Sequence, residues 1–393
     1  MMMGKKFIAV TAALTLTTVG LAGCSKSTSS EGGSGETIKV GTNLELTGAV
    51  AAFGQSQLNG INLAVDEINK AGGINGKKLE VISGDNASKK EESTRTATKL
   101  ITQDKVDVLL GAAISGDTFA AVEVANNKKV PMLTPSATND SITFDSKKNK
   151  LNDYVFRACF IDSFQGKVMA DFSSKNLKAK NAVVYIDNSS DYSKGLAKSF
   201  TSTFTAGGGK VVAEESYQTK DTDFKAVLTR IKTLNPEVIF VPGYYEEVGK
   251  IIKQAREMGI KAPMMGGDGW DAPELATIAG PENLNNTFIS NHYSSEDKDP
   301  KVVKFIDNFK SKYNSVPDAM AVLGYDGMYM MADAIKRAGS TDKEKIKEAL
   351  ANTKDFEGVT GKIALDKNHD PVKAAVVLEY KDGKQTFNTK VQP

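Results

Sequence analysis

The sequence has few of the residues on which catalysis and metal binding usually depend. Its 393 residues include only two histidines, His292 and His369, and two cysteines. Neither histidine has a cysteine or the other histidine near it, so the spacing typical of metal ligands is absent. The motifs GxSxG, HExxH and GxGxxG and a Walker loop are also absent. We therefore predict no metal, no cofactor and no enzymatic activity, and we interpret both histidines as surface residues.

The chain also has almost no net charge. It contains 50 lysines and arginines against 48 aspartates and glutamates. Residues 1–23 contain Lys5 and Lys6 and no acidic residue, so the remainder carries 48 side chains of each sign. A neutral body argues against a nucleic acid or another polyanion as partner.

The beginning of the chain has the pattern of a secretory signal. Lys5 and Lys6 precede an apolar run, residues 7–21, and the sequence LAGC then ends at Cys24. The run is shorter than the ~20 residues that span a bilayer as a permanent helix. LAGC resembles the lipobox of bacterial lipoproteins, which implies that residues 1–23 are removed and that Cys24 is diacylated. A signal peptide with a chance cysteine is the alternative.

A Ser/Gly-rich stretch follows this cysteine. Residues 25–36 contain no apolar side chain, which is typical of a flexible tether. Residues 24–36 are therefore expected to hold a globular body outside the cytoplasm, anchored to the cell membrane through Cys24. The other cysteine, Cys159, follows an apolar strand and is interpreted as a small core residue, so no intrachain disulfide is predicted.

The rest of the chain alternates strand patterns with amphipathic helix patterns. This alternation favours parallel sheets that are covered by helices on both faces. Two series of strands predict two doubly wound α/β domains. The first series is IKVGTN, LEVISGD, VDVLLGA and VPMLTP, and the second is YVFRAC, AVVYID, VVAEESY, EVIFVPG and PMMGGD.

Glycine and short polar residues follow many of these strands. In VPMLTPSATND, for example, Ser136, Thr138 and Asn139 come directly after an apolar strand, although a connecting loop does not need so many hydroxyls. Ligands of open parallel sheets bind beyond the carboxyl ends of the strands, near helix N-termini. Six stretches are therefore candidates for a binding site: GTNLELTGAVAAFG, GAAISGDT, TPSATND, DNSSDYSKG, PGYYEE and GGDGWD.

Seven stretches in order along the chain resemble the branched-chain amino acid binding proteins of ABC importers. The resemblance runs from about Thr37 to the C-terminus. It implies the type I periplasmic-binding-protein fold, in which two doubly wound parallel-sheet domains are joined by a three-crossing hinge. The stretches are GGINGKKLEV, GAAISGDT, TPSATND, DSFQG, DYSKGLA, VPGYYEEVGKIIKQAREMGI and GGDGWD.

The resemblance implies a site for an α-amino acid. Ser115 matches the serine that binds the ligand carboxylate at a helix N-terminus. Ser136 matches a position whose backbone carbonyl accepts from the ligand ammonium, and Thr138 matches the threonine that binds both ends of the zwitterion. Asp268 stands where the family has an acid that counters the ammonium, although some relatives have glutamate there. A helix N-cap is the alternative role for Asp268.

Aromatic and apolar residues complete the implied site. Tyr192 and Tyr244 match tyrosines of the second domain that close over the ligand. Phe53 and Tyr325 match aromatics near the side-chain pocket. Packing in the core is the alternative role for each aromatic. The expected walls of the apolar pocket are Ala113, Ile114 and Phe53.

The resemblance also implies a discontinuous division of the chain. The N-terminal lobe is expected to contain residues 37–160 and 292–359, and the C-terminal lobe residues 161–291 and 360–393. Crossings near residues 160–163, 290–293 and 359–361 would form the hinge.

These inferences predict a monomeric, lipid-anchored solute-binding protein that captures Leu, Ile or Val and delivers it to the permease subunits of an ABC importer. One methylene in an apolar pocket is worth only ~1–3 kcal/mol, so the three amino acids are expected to share the site. A surface sensor or co-receptor for an amino acid or amide is the alternative with the same fold. A hydrolase that relies on carboxylates, lysine or tyrosine is an alternative of another class.

The lipobox prediction can be tested by replacing the cysteine. We expect Cys24→Ala to release the protein into the medium or to block its maturation, because the acceptor of the lipid is lost. Ligand affinity should not change, since the tether separates Cys24 from the folded body. Cell fractionation beside a Ser25→Ala control measures the effect. A Cys24→Ala chain that stays in the membrane would contradict the prediction.

Overall fold

The computed structural model of the chain describes residues 37–393. The predicted signal peptide, the lipidation of Cys24 and the tether lie outside these residues. Within the described part of the chain, no helix combines the length and the apolar character that a membrane span requires.

The first third of the described chain alternates strands and helices, as its sequence pattern predicts. Its central strands are buried along their whole length, which is typical of strands in a parallel sheet that is covered on both faces. The elements are β1 (Ile38–Leu44), α1 (Ala51–Lys70), β2 (Leu79–Asp85), α2 (Lys90–Thr102), β3 (Val108–Gly111), α3 (Ser115–Lys128), β4 (Met132–Thr134), β5 (Phe144–Asp145), β6 (Lys150–Leu151) and β7 (Val155–Arg157).

Five of these strands form the first sheet. Their order is β2-β1-β3-β4-β7, and every pairing is parallel. The short strands β5 and β6 pair with each other in a separate antiparallel hairpin. The strand β7 belongs to this sheet, although the sequence pattern groups YVFRAC with the second series. Its backbone pairs with β4, which a pattern of apolar residues does not specify.

The middle third of the chain repeats the alternation. Its elements are α4 (Asp162–Lys175), β8 (Asn181–Asp187), α5 (Asp191–Ala206), β9 (Lys210–Tyr217), α6 (Lys225–Leu234), β10 (Val238–Phe240), α7 (Tyr245–Glu257), β11 (Met264–Gly266), a 3₁₀ turn (Asp268–Trp270), α8 (Glu274–Ala279), a second 3₁₀ turn (Pro281–Leu284) and β12 (Thr287–Asn291).

The last third of the chain begins with helices and ends with strands. Its elements are α9 (Pro300–Tyr313), α10 (Ala319–Ala338), α11 (Lys343–Ala351), β13 (Phe356–Gly358), β14 (Gly361–Leu365), β15 (Pro371–Val372), β16 (Ala375–Lys381) and β17 (Lys384–Val391).

The second sheet combines strands of the middle and last thirds. Its order is β17-β16-β12-β11-β10-β8-β9. The strands from β9 to β12 are parallel to their neighbours, whereas β16 and β17 are added to the edge in antiparallel orientation. The chain therefore builds two doubly wound lobes, one around each sheet.

The chain passes between the two lobes three times. It leaves the first sheet after β7, and it returns after β12 to form α9 and α10, which pack on α1. It passes over again before β16. This is the α/β architecture of two parallel-sheet domains with three crossings that the sequence predicts. The residues at which the lobes divide stay a prediction.

Two glycines allow the helices α1 and α10 to pack closely. A Cβ atom on Gly60 would lie 1.9 Å from the carbonyl oxygen of Ala321, and one on Gly324 would lie 2.4 Å from that of Gln57. Both distances are too short for any larger residue. The close approach fixes the N-terminal half of α10 beside that of α1.

The segment before β16 is bound to the first lobe. Here β14 pairs with β13 and β15 pairs with β14. The His369 ring stacks on Phe156 at 4.2 Å, and Asp370 Oδ1 lies 2.7 Å from Arg157 Nε. His369 is buried, so its interpretation as a surface residue is wrong: the loop folds back onto the end of the first sheet and covers it.

The pair between Arg157 and Asp370 should matter for stability. We expect Asp370→Ala to lower the free energy of unfolding by about 3–5 kcal/mol, because it leaves a fully buried guanidinium without its carboxylate. The control Asp355→Ala breaks the exposed ion pair with Lys362, and its effect should be small because solvent screens that pair. Urea denaturation of both variants measures the difference. Equal losses in the two variants would contradict the expectation.

Candidate functional site

The two lobes face each other across a cleft. One side of this cleft is the N-terminus of α3. The first N–H groups of a helix have no acceptor within the helix, and the helix dipole favours an anion there. Ser115 is the first residue of α3 and is 1% exposed. Its hydroxyl oxygen accepts from the backbone N–H of Asn139 at 3.2 Å. This end of α3 is therefore suited to an anionic group of a ligand.

A buried acid occupies the two N–H groups that precede α3. Glu45 accepts from the backbone nitrogens of Ala113 at 3.0 Å and Ile114 at 3.2 Å. Burial raises the pKa of the Glu45 carboxyl, and the nearby charge of Asp117 raises it further. Burial also raises the pKa of Asp117. These two acids therefore keep a proton more readily than exposed ones, which limits the negative charge behind the anion site.

The hydroxyls of TPSAT support the same loop. Thr134 Oγ1 donates to the carbonyl oxygen of Ala112, and Ser136 Oγ donates to that of Ala113, each at 2.7 Å. Thr138 is 1% exposed and lines the cleft. Part of the hydroxyl cluster that the sequence singles out thus fixes the backbone before α3, and the rest faces the cleft.

The other side of the cleft is built around Asp268. Its Oδ1 accepts from Gln165 Nε2 at 3.2 Å and from the Tyr192 hydroxyl at 3.0 Å, and its Oδ2 lies 3.0 Å from His292 Nε2. Ser290 Oγ donates to Gln165 Oε1 at 3.0 Å and so orients that amide. Asp268 does not cap α8, which begins at residue 274, so the N-cap alternative is wrong.

The three donors around Asp268 are neutral. Burial lowers the pKa of His292 to about 4 and raises the pKa of the Tyr192 phenol well above its usual range. Between residues 37 and 393, no lysine or arginine lies within ion-pair distance of Asp268. Asp268 is 2% exposed, so a buried carboxylate lacks a cation. A ligand that carries a positive charge would supply one.

Aromatic rings form the remaining walls. Tyr192 and Tyr244 are stacked with ring centroids 5.0 Å apart, and Phe53 meets Tyr244 edge to face at 5.8 Å. Rings in such pairs stabilise each other beyond the area that they bury. Phe53 comes from the first lobe and the two tyrosines from the second, so apolar surface of both lobes meets here.

These side chains enclose a cavity of about 10 Å³ in the closed cleft. This volume is far below the about 300–1,000 Å³ typical of sites for drug-sized ligands. Nine of the ten predicted ligand-binding residues line it, and their role in binding stays a prediction. These nine are Phe53, Ala113, Ile114, Ser115, Ser136, Thr138, Tyr192, Tyr244 and Asp268.

Tyr325 lies outside the cavity, so its assignment to the side-chain pocket is corrected. Its hydroxyl donates to Glu67 Oε2 at 2.7 Å, and its ring packs between Phe305 and Tyr329. It faces α1 and α9 and not the cleft. Trp270, the only tryptophan, is also absent from the cavity wall; it is fully buried and donates through Nε1 to the carbonyl oxygen of Val241.

Sequence reasoning missed four residues of the site. Met320 and Gly269 line the cavity, and Gln165 and His292 contact Asp268. Gln165 lies in DSFQG, so the resemblance contained a signal for it. A methionine in a helix is most simply a core residue, and Met320 gave no other signal. His292 is 3% exposed, so its interpretation as a surface residue is wrong.

The two lobes touch each other around the cavity. Lys90 Nζ lies 2.9 Å from Asp191 Oδ2, and Asn139 Nδ2 donates to the Asp191 carbonyl at 2.9 Å. On the other side, the backbone N–H of Ala319 donates to Asp271 Oδ2 at 2.8 Å. The contacts join residues of different lobes, so the cleft is closed in this structure.

A larger groove opens beside the closed cleft, between α3, α5 and residues 139–152. Two of its lysines pair with acids of the same groove: Lys194 lies 3.7 Å from Asp191, and Lys148 lies 3.3 Å from Asp145. These pairs are exposed to solvent, and exposed ion pairs contribute little. The enclosed cavity is therefore the better candidate for a binding site.

The chain matches known proteins along most of its length. The family described as "Periplasmic binding protein" matches residues 37–385. The leucine-, isoleucine-, valine-, threonine-, and alanine-binding protein of Pseudomonas aeruginosa is 34% identical over 337 residues, which cover 85% of this chain and 87% of that protein.

Two solved structures are similar to it throughout. The branched-chain amino acid transporter substrate binding protein LivJ from Streptococcus pneumoniae, in complex with isoleucine, is 43% identical with a TM-score of 0.86. The match covers 91% of this chain and all of that one. The leucine binding protein LivK from Thermotoga maritima is 37% identical with a TM-score of 0.85, and the match covers 91% of this chain and 99% of that one.

Proposed function

This chain belongs to the periplasmic binding protein family and has the type I fold of that family, and from this premise we propose that it is an extracytoplasmic solute-binding protein for a neutral branched-chain amino acid. It holds leucine, isoleucine or valine between its lobes and delivers it to the permease subunits of an ABC importer. It has no catalytic role. The names of its relatives in Pseudomonas and Streptococcus support this ligand class.

The observation that carries the proposal is the unmatched charge of Asp268. A buried carboxylate that lacks a cationic partner is costly. Across the cavity, the N-terminus of α3 offers N–H groups and a positive dipole end to an anion. A zwitterion satisfies both sides, because its ammonium and its carboxylate are attached to the same carbon atom.

The roles of the polar residues follow from this arrangement. The ligand carboxylate binds at Ser115 and Thr138, at the N-terminus of α3. The ammonium binds to Asp268 and to the backbone carbonyl of Ser136, and Tyr192 closes over it. These contacts involve only atoms that all α-amino acids share.

The rest of the cavity favours a neutral side chain. Its walls include Phe53, Ile114, Met320 and Tyr244, and none of them carries a charge. A charged ligand side chain would have no partner among these residues and would lose its hydration. An aliphatic side chain gains from burial at roughly 25 cal/mol per Å².

The proposal includes membrane anchoring and hinge motion. The protein is tethered through a lipid on Cys24, as a monomer. The lobes, one around each sheet, open and close about their three crossings, and residues 360–372, which pack on the first lobe, move with it. Closure lets the importer distinguish a loaded protein from an empty one.

A survey of ligands tests the proposal directly. The full chain, purified in detergent and freed of co-purified ligand, is titrated by calorimetry with each standard amino acid. We expect micromolar or tighter binding of Leu, Ile and Val, with differences of ~1–3 kcal/mol among them. Binding of a charged amino acid without binding of these three would contradict the ligand assignment, and turnover of amides or short peptides would contradict the absence of catalysis.

The division of labour within the site gives a second test. We expect Ser115→Ala and Thr138→Ala to weaken the binding of Leu, Ile and Val alike, because they remove bonds to the shared carboxylate. The loss of a hydrogen bond to a charged group costs ~1.5–3 kcal/mol, or roughly ten- to hundredfold in affinity. Phe53→Ala should instead change the ranking of the three ligands.

Tyr325→Phe is the matched control, because Tyr325 lies outside the cavity and should leave all three affinities unchanged. Calorimetry of the four variants with the three ligands completes the comparison. Parental affinities in both Ser115→Ala and Thr138→Ala would show that the ligand carboxylate binds elsewhere.

A further inference from the structure

His292 occupies an unusual place between the cavity and the connections of the two lobes. It follows β12, where the chain passes from the second lobe towards α9. Its ring stacks on Phe160 with centroids 3.8 Å apart and an angle of 18°. Phe160 follows β7, where the chain first leaves the first sheet. The imidazole is therefore held by one connecting segment while it belongs to another.

The hydrogen-bond partners of the His292 ring show which of its nitrogens carries a hydrogen. The carboxylate of Asp268 can only accept, so His292 Nε2, at 3.0 Å from Oδ2, must carry the hydrogen. Burial lowers the pKa of the ring to about 4, so it carries no second hydrogen at neutral pH. Nδ1 has no hydrogen-bond partner among residues 37–393. His292 is thus a neutral donor aimed at one oxygen.

This neutrality matters for the charge of the site. A protonated imidazole would form an ion pair with Asp268 and would supply the positive charge that a ligand ammonium should bring. A neutral imidazole orients the carboxylate and leaves its charge unmatched. The same applies to Gln165 and Tyr192, which together donate to Oδ1.

The bonds also determine which part of the carboxylate stays free. A carboxylate can accept about four hydrogen bonds. Oδ1 accepts two from within the protein and Oδ2 accepts one, so Oδ2 retains capacity for one further donor. The position of His292 therefore determines from which direction a further donor can approach Oδ2.

We propose that His292 is a positioning residue for ligand recognition: it donates to Asp268 Oδ2, fixes the plane of the carboxylate and directs the free acceptor site of Oδ2 to the ligand ammonium. The inference rests on the proposed function, since it requires a ligand with an ammonium group. It gives His292, a residue of a segment that connects the lobes, a role in the recognition of the ligand ammonium.

Two variants separate positioning from packing. His292→Phe keeps a ring on Phe160 and removes the donor, whereas His292→Gln keeps a donor at a similar distance from the backbone. With the full chain in detergent, we expect His292→Phe to weaken leucine binding about 10- to 100-fold, as for the loss of a hydrogen bond to a charged group. His292→Gln should recover most of that affinity. Parental affinity in His292→Phe, or equal losses in both variants, would overturn the proposal.

A double-mutant cycle tests whether His292 acts through Asp268. In an Asp268→Asn background, His292→Phe should cause much less additional loss of leucine affinity than it does in the parent. A merely structural role would give the same loss in both backgrounds, and this result would overturn the proposal.

The protonation of the His292 imidazole can be tested without a ligand. The chain has only two histidines, so the nitrogen-15 NMR signal that is missing in His292→Phe identifies this ring. We expect one hydrogen, on Nε2, at pH 7, and a doubly protonated ring or a hydrogen on Nδ1 would overturn the proposal. If the parent binds no Leu, Ile or Val, the proposed function fails, and the NMR result still decides the geometry of His292 and Asp268.

Discussion

The cleft depends on one electrostatic constraint, the burial of Asp268 without a cation. The removal of a carboxylate from water costs several kcal/mol, and hydrogen bonds from neutral groups return only part of this. The N-terminus of α3 has the opposite property: its N–H groups and the positive end of its dipole favour an anion. The negative charge of Asp268 and the positive end of the α3 dipole face each other from different lobes. Neither is neutralised until a ligand with both charges lies between them.

The connectivity of the sheets explains why these groups meet. Ser115 follows β3 and Thr138 follows β4, while Asp268 follows β11 and Tyr244 follows β10. In a parallel sheet, the loops that follow the strands gather at one edge. Each lobe presents that edge to the other, so the residues of the site are held by rigid strands although they lie in loops.

Much of this could be predicted from the sequence because it is local. Apolar strands and amphipathic helices give the two lobes, and polar residues after strands give the cavity. The side chain of Tyr325 could not be assigned in this way. It is five residues from Met320 on α10, or about 140° around the helix axis, so only one of the two can face the cavity, and the packing of α10 on α1 decides which one.

The burial of His292 could not be predicted from the sequence either. Its neighbours Asn291 and Ser294 are polar, as in an exposed loop, yet all three are buried. Stacking on Phe160, more than a hundred residues away in the sequence, produces this burial. Sequence patterns report the periodicity of single elements, whereas contacts between segments so distant leave no periodic signal.

The late positions of β16 and α10 in the chain affect how the protein is made. The core around the first sheet contains Met328 and Ile363, and the core of the second lobe contains Val376 and Leu378. A nascent chain that ends at β12 therefore lacks part of both cores, and the edge of β12 that β16 covers is still unpaired. Both cores can therefore be completed only after the segment from α10 to β16 has been synthesised.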